Sequence, residues 1–187
     1  MHKHIRLLAK GVNVETLVHE ITRQPWLWNK HRDRTIGYEC PHSKISDIWA
    51  RYRAIDDLTK PEHFAEEHDS VWYDAFYALP SIRKIVFDLM GAVQAERLGG
   101  VLITKVPSGE QVKSHVDSGW HSDYYDKYAV QLQSAPEQAF CFENEQLVTE
   151  PGDVYWFNNK YSHWVINNSK QDRMTMIVCI RSDRKGV

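Results

Sequence analysis

The hydrophobic rhythm of the chain changes near residue 98. Before that point, apolar residues recur mostly at intervals of three and four, the period of a helix with one buried face. The segment "LPSIRKIVFDLMGAVQAERLGG" is the clearest case. Ile82, Ile85, Val86, Leu89, Met90 and Val93 draw one apolar stripe, with Ser81 placed to cap its start and Gly99 to stop it. "NVETLVHEIT" predicts a second helix, opened by Asn13 and carrying Leu17 and Ile21 on its inner face. In "CPHSKISDIWARYRAIDD" the run "IWARYRA" fits a strand or a short helix, and a strand is the preferred reading.

After Gly100 the period shortens to two. "GVLITKV", "QVKSHVD" and "DKYAVQLQS" read as strands, the first two joined by a turn at "PSGE". "AFCFENEQLVTE" predicts a hairpin with "ENEQ" at its tip. "VYWFNN", "HWVINN" and "RMTMIVCIR" follow the break at "PGD". Seven or eight short strands at such spacing predict a sandwich, barrel or jelly roll. The helices would then cover the apolar face of one sheet. The fold class is α+β, mainly β. A single domain is expected over residues 1–187, with a helical and mixed support region over 1–99 and a β core over 100–187.

Composition narrows the classes. A chain of 187 residues with 42% apolar and 26% charged residues has the profile of a soluble globular domain. A net charge of −2 supplies no broad basic field for nucleic acid, so a polynucleotide partner is disfavoured. The basic start "MHKHIRLLAKGVNVE" has too short an apolar run for a signal peptide, and no stretch approaches the roughly 18 apolar residues of a membrane span. Cys40, Cys141 and Cys179 fit neither a disulfide framework nor a zinc finger, which points to a reducing, cytoplasmic setting.

The chemistry concentrates in "SHVDSGWHSDYY". Residues two apart on a strand face one way, so His115 and Asp117 would converge, and His163 opens a later strand. Two imidazoles and one carboxylate suit non-haem Fe(II), since they occupy one face of an octahedron and leave the opposite face open. Arg173 and Thr175 open the last strand on a shared face. A fixed guanidinium beside a hydroxyl suits a carboxylate. A satisfied polar cluster and a surface ion pair are the plainer readings of each group taken alone.

"GEQVKSHVDSG … PGDVYWFNNKYSHWVINNSKQDRMTMIVCIR" resembles the Fe(II)/2-oxoglutarate-dependent oxygenases, most closely the aspartyl/asparaginyl β-hydroxylase-like group, over about residues 97–181. The resemblance implies a double-stranded β-helix, a cupin-like jelly roll. It also implies catalytic metal ligands at His115, Asp117 and His163, Fe(II) with 2-oxoglutarate and O2 as cosubstrates, and the far carboxylate of 2-oxoglutarate on Arg173 and Thr175. The implied activity is hydroxylation of a substrate C–H, with an amino-acid side chain in a peptide or protein, or a small molecule, as the favoured target. The best-known aspartyl β-hydroxylases carry glycine where this chain has Asp117. They also place an arginine and a histidine where this chain reads "KYAVQLQ". Lys127, Tyr128, Gln131 and Gln133 are candidates for the keto-acid end of the cosubstrate, with Tyr128 or Gln131 preferred.

Trp120, Tyr124, Tyr125, Trp156 and Trp164 are expected either to shield the site or to fill the core. His121 reads as a solvated loop residue or a substrate contact, and Asp123 and Asp126 as solvated. Asn158 and Asn167 read as turn residues. Arg51 and Arg53 lie on the surface or reach the site from the N-terminal half. Two rival functions remain on the same barrel: a cupin-like metal-dependent hydrolase or isomerase, which has no need of Arg173, and a non-catalytic binding module.

Overall fold

The computed structural model describes residues 3–36, 40–55 and 65–182. The remainder of the expected domain ranges lies outside the described residues. In chain order the elements are β1 (Ile5–Ala9), α1 (Glu15–Thr22), a 3-10 turn (Pro25–Leu27), β2 (Ser46–Arg53), β3 (Ser70–Trp72), α2 (Asp74–Ala78), α3 (Ser81–Ala92), β4 (Ala95–Val106), β5 (Gln111–His115) and α4 (Trp120–Tyr124). They continue with β6 (Asp126–Gln133), β7 (Gln138–Phe142), β8 (Glu145–Leu147), β9 (Val154–Phe157), β10 (His163–Asn167) and β11 (Arg173–Ser182). Two antiparallel sheets face one another: a large one in the order β1-β9-β6-β11-β4-β2-β3, and a small one in the order β5-β10-β7-β8. This is a double-stranded β-helix.

Period two assigns the two faces of the large sheet. On β11, Met174, Met176, Val178 and Ile180 pack with Leu17, Ile21, Ile82, Val86 and Leu89 of α1 and α3. The alternate residues Arg173, Thr175, Ile177 and Cys179 line a cavity between the sheets. Each large aliphatic side chain buried on the helix side stabilises the fold by roughly 1.5–3 kcal/mol relative to exposure. The helices therefore cover one face as the sequence pattern predicts, and the other face is left to hold polar groups.

Several local expectations are corrected. Helix α3 ends at Ala92, and Gln94 adopts a positive φ of 52°, so Gly99 is not its stop. Gly99 and Gly100 lie within β4. A Cβ on Gly99 would come within 2.9 Å of the Tyr125 ring, and one on Gly100 within 3.1 Å of Tyr52. The pair of glycines opens a gap that lets these rings approach the strand. Ser81 does not cap α3 with its own side chain. Its N–H and hydroxyl both donate to the Glu20 carboxylate of α1, at 3.2 and 2.7 Å. Asn13 stands one residue ahead of the N-cap of α1, Val14, and its Oδ1 accepts from the Glu15 N–H at 3.1 Å. The hairpin β7–β8 turns on Glu143 and Asn144 alone, since Glu145 pairs with Phe142. The "IRLLA" segment forms β1, an edge strand that the basic start does not announce.

Candidate active site

The site grows from the register of two neighbouring strands. His163 on β10 sits directly opposite His115 on β5, and their ring centroids are 4.5 Å apart. Asp117 lies just beyond the end of β5. Val116 between them turns outward and is half exposed, so His115 and Asp117 converge as the alternation requires. His115 Nε2 is 3.3 Å from Asp117 Oδ1, and His163 Nε2 is 4.0 Å from Asp117 Oδ2. Each imidazole donates from Nδ1 to the backbone carbonyl two residues earlier, Lys113 at 2.8 Å and Tyr161 at 2.9 Å. A carbonyl can only accept, so both Nδ1 atoms carry the proton and both Nε2 lone pairs face the carboxylate. A carbonyl that holds the far N–H of an imidazole in this way fixes the ring's tautomer and orientation for metal binding. The Asp117 N–H is held by the Asn159 carbonyl at 3.2 Å, a contact with no sequence signal.

Lys127 brings a positive charge to this end. Its Nζ lies 2.6 Å from Asp117 Oδ2, and both side chains are largely buried. Burial pushes the Asp117 carboxyl up, but the adjacent Lys127 ammonium outweighs it and holds the group well below the usual carboxylate range. Burial lowers the pKa of His163. Asp117 is thus a carboxylate, and His163 favours the neutral form that a ligand needs.

The opposite end of the cavity holds Arg173. It is 2% exposed, donates to Thr175 Oγ1 at 2.6 Å and to the Tyr155 hydroxyl at 3.2 Å, and leaves its Nε without a partner. No carboxylate pairs with it among the described residues. A buried cation with an unfilled donor costs several kcal/mol unless an anion meets it. The wall between the two ends is aromatic and aliphatic: Phe140, Phe157, Tyr155, Val112 and Ile177.

The remaining candidates sort by face. Gln131 shares the inner face of β6 with Lys127 and lies behind Thr175. Its Oε1 accepts from the Thr149 hydroxyl at 2.9 Å and lies 3.4 Å from that of Thr175. Tyr128 points the other way, into the core beneath the helices, and does not border the cavity. Gln133 donates to the Asp172 carbonyl, outside the cavity. Trp120, Tyr124, Tyr125, Trp156 and Trp164 do not line the cavity either. Trp120 instead stacks on Tyr124 at 4.8 Å.

His121 is buried rather than solvated, and it lines the cavity. The Glu66 carbonyl takes the Nδ1 proton of His68 at 2.9 Å, so His68 Nε2 accepts from His121 Nδ1 at 3.2 Å. His121 Nε2 in turn accepts from the Gly100 N–H at 3.3 Å. Burial first, then the charge of Lys127, pushes the His121 pKa down to about 2. Both ring nitrogens are committed to structure. Asp123 is exposed and pairs with Lys160, and Asp126 accepts from the Trp156 indole at 3.4 Å. Asn158 Oδ1 accepts from the Lys160 N–H, a turn contact. Asn167 is a buried hub that donates to the carbonyls of Val106, Pro107 and Gln171.

Arg51 and Arg53 miss the cavity. Arg51 lies over the Trp72 ring at 4.5 Å, and Arg53 is held by Glu66. The N-terminal half reaches the site instead through Arg34, His42 and Tyr52, which sequence reasoning missed. Arg34 is anchored to the buried Asp47 at 2.7 Å.

The family model for aspartyl/asparaginyl β-hydroxylase matches residues 66–182, well over half of the chain. The chain belongs to this family. Membership makes the protein an oxygenase-type enzyme. No curated protein sequence matches it. Among solved structures, it is similar to an oxidoreductase of the 2OG-Fe(II) oxygenase family from Burkholderia pseudomallei, with TM-score 0.58, 13% identity, and coverage of 97% of this chain and 89% of that one. It is also similar to the viral collagen prolyl hydroxylase of Paramecium Bursaria Chlorella virus-1, with TM-score 0.54, 9% identity and coverage of 96% and 97%. A prolyl hydroxylase from Trichoplax adhaerens, complexed with a hypoxia inducible factor peptide, gives TM-score 0.54, 10% identity and coverage of 97% and 84%. At such identities these neighbours speak to the fold, which is that of the β-hydroxylase family's double-stranded β-helix. Among the described residues no helix is long and apolar enough to cross a membrane.

Proposed function

We propose that this family member is an Fe(II)- and 2-oxoglutarate-dependent dioxygenase that hydroxylates a C–H bond of an amino-acid side chain in a peptide or protein. The observation that carries the reading is the buried, anion-free guanidinium of Arg173, at the far end of a cavity whose near end aims two Nε2 lone pairs at one carboxylate. The donor set fits the group: two imidazoles and a carboxylate suit ferrous iron and leave coordination positions open. When bound, iron would supply the oxidising power by coupling the reduction of O2 to the oxidative decarboxylation of 2-oxoglutarate to succinate and CO2.

The protein's own work is binding, orientation and shielding. His115, Asp117 and His163 would hold the metal. Arg173, Thr175 and the Tyr155 hydroxyl would receive the far carboxylate of the oxo-acid, with Gln131 fixing the Thr175 hydroxyl from behind. Lys127 faces the cavity where Tyr128 does not, and is the residue that would meet the keto-acid end once a metal ion takes Asp117. Phe140, Phe157 and Tyr155 exclude water from the path between them. The family description and the peptide held by one fold neighbour favour a side-chain substrate. Cys40, Cys141 and Cys179 are all free thiols, which agrees with a reducing, cytoplasmic setting.

The test is succinate formation. Purified protein with Fe(II), 2-oxoglutarate and air should release succinate even without its true substrate, and the Arg173→Met variant should not. No succinate above a metal-free control would overturn the reading. A cupin-like hydrolase or isomerase, or a binding module, would retain metal binding without responding to 2-oxoglutarate.

A further inference from the structure

His42 enters the site from a turn ahead of β2, far from any motif. Its ring stands edge-on to His115, with centroids 4.8 Å apart and planes at 81°. His42, His115 and Asp117 can each offer one ligand atom such that all of these lie within 4.8 Å of one another. His42 Nδ1 is buried and has no hydrogen-bond partner among the described residues. His115, His121 and His163 differ in this respect, because the Nδ1 of each is tied to a carbonyl or to another ring. A buried nitrogen left unpaired is costly, so it calls for a proton donor or a metal ion. The charged and titratable groups around His42 are Asp33, Arg34, Tyr52, His115, Asp117 and Lys127. None of them hydrogen-bonds it.

We infer that His42 is a fourth protein ligand to the metal in the enzyme free of 2-oxoglutarate, joining His115, Asp117 and His163. The inference rests on the metal seat proposed above. Three protein ligands leave three octahedral positions open and four leave two, so His42 would have to give up its place for a chelating oxo-acid and dioxygen both to bind. The resting ion would then be more enclosed than in a bare facial triad, and the N-terminal half of the chain would take part in holding it.

Cobalt(II) substitution reads the ligand count directly, without turnover. Each coordinated imidazole with a ring N–H gives one exchangeable, strongly shifted proton resonance. With cobalt(II) and no 2-oxoglutarate, the wild-type protein should show three such signals. His42→Ala should show two, and so should His163→Ala. Calorimetric titration of cobalt(II) into His42→Ala should show at least roughly tenfold weaker binding, the scale at which even outer-shell partners act. His42→Phe keeps an aromatic edge against His115. It separates packing from ligation, because it should lose the signal as the alanine variant does. Two signals in the wild type, unchanged in His42→Ala, would overturn the inference while leaving the three-ligand seat standing. No shifted signal in any variant would remove the metal seat itself.

Discussion

Strands β2 and β11 flank β4 on its two sides, and both reach the same cavity. They do so in different ways. On β11 period two holds from Arg173 to Ile180, odd-numbered residues facing the cavity and even-numbered ones the helices. On β2, Ile48 and Ala50 face the helices, and simple alternation would send Tyr52 after them and turn Arg51 and Arg53 inward. The register against β4 slips between Trp49 and Arg51, so one extra residue enters β2 at Ala50. A one-residue bulge exchanges the two faces of everything that follows. Tyr52 therefore lines the cavity, and both arginines are thrown out to Trp72 and Glu66. Where a strand is regular, its chemistry can be read from spacing, and a single bulge is enough to invert the reading.

If the regular strands carry the chemistry, substitutions there should have the largest effects. Asp117→Ala should weaken divalent-metal binding by more than the roughly 10–100-fold typical of outer-shell changes, measured by calorimetry. Wild-type affinity in that variant would break the comparison at its strongest point. Arg173→Met comes next. Losing a buried charged contact should cost about 2–5 kcal/mol of 2-oxoglutarate affinity. The ligand-free variant should melt no lower than the wild type, because a hydrophobic replacement relieves an uncompensated buried charge. A lower melting temperature with unchanged 2-oxoglutarate binding would make Arg173 a structural residue.

The legible part of the site follows from this difference. His115, Asp117, Arg173 and Thr175 could be found because each pair two apart keeps one face, the first pair lying beyond the register shift in β5, and His163 because it opens β10 directly opposite His115. The same rule carried information that the sequence reading left unused. Lys127 and Gln131 share a face of β6, so Tyr128 between them could not join them. Arg34, His42 and Tyr52 had no such signal, because their approach depends on long-range packing and on the Ala50 bulge. The chain of hydrogen bonds from Glu66 through His68 and His121 to Gly100 was equally hidden, since its members lie 21 and 53 residues apart. The helix side of the fold was the most legible, because burial of an apolar stripe needs only its period.

That hidden chain of hydrogen bonds predicts an acid sensitivity of smaller size. His121 has a folded-state pKa of about 2, against 6.5 for the ordinary group. Its neutral form belongs to the fold, so the stability it contributes is complete above pH 6.5 and declines as pH falls towards the folded value. One such proton steepens the loss by about 1.4 kcal/mol per pH unit. Urea melts at a series of pH values should therefore show a shallower acid slope for His121→Gln than for the wild type. Equal slopes would mean that the ring titrates without opening the structure.

The smallest expected effects test the bulge itself. Arg51→Gln and Arg53→Gln should change metal and 2-oxoglutarate affinity by less than about 0.5 kcal/mol, as residues outside the cavity should. Tyr52→Ala, one residue from each, should disturb the cavity wall, because its ring packs over Gly100 and against His121 at 5.4 Å. Titrating 2-oxoglutarate into the three metal-loaded variants compares neighbours on one strand. A null effect at the two arginines with a clear loss at the tyrosine is the signature of the register slip. The reverse pattern, with losses at both arginines and none at Tyr52, would mean that β2 runs without its bulge and that the N-terminal half meets the substrate with positive charge.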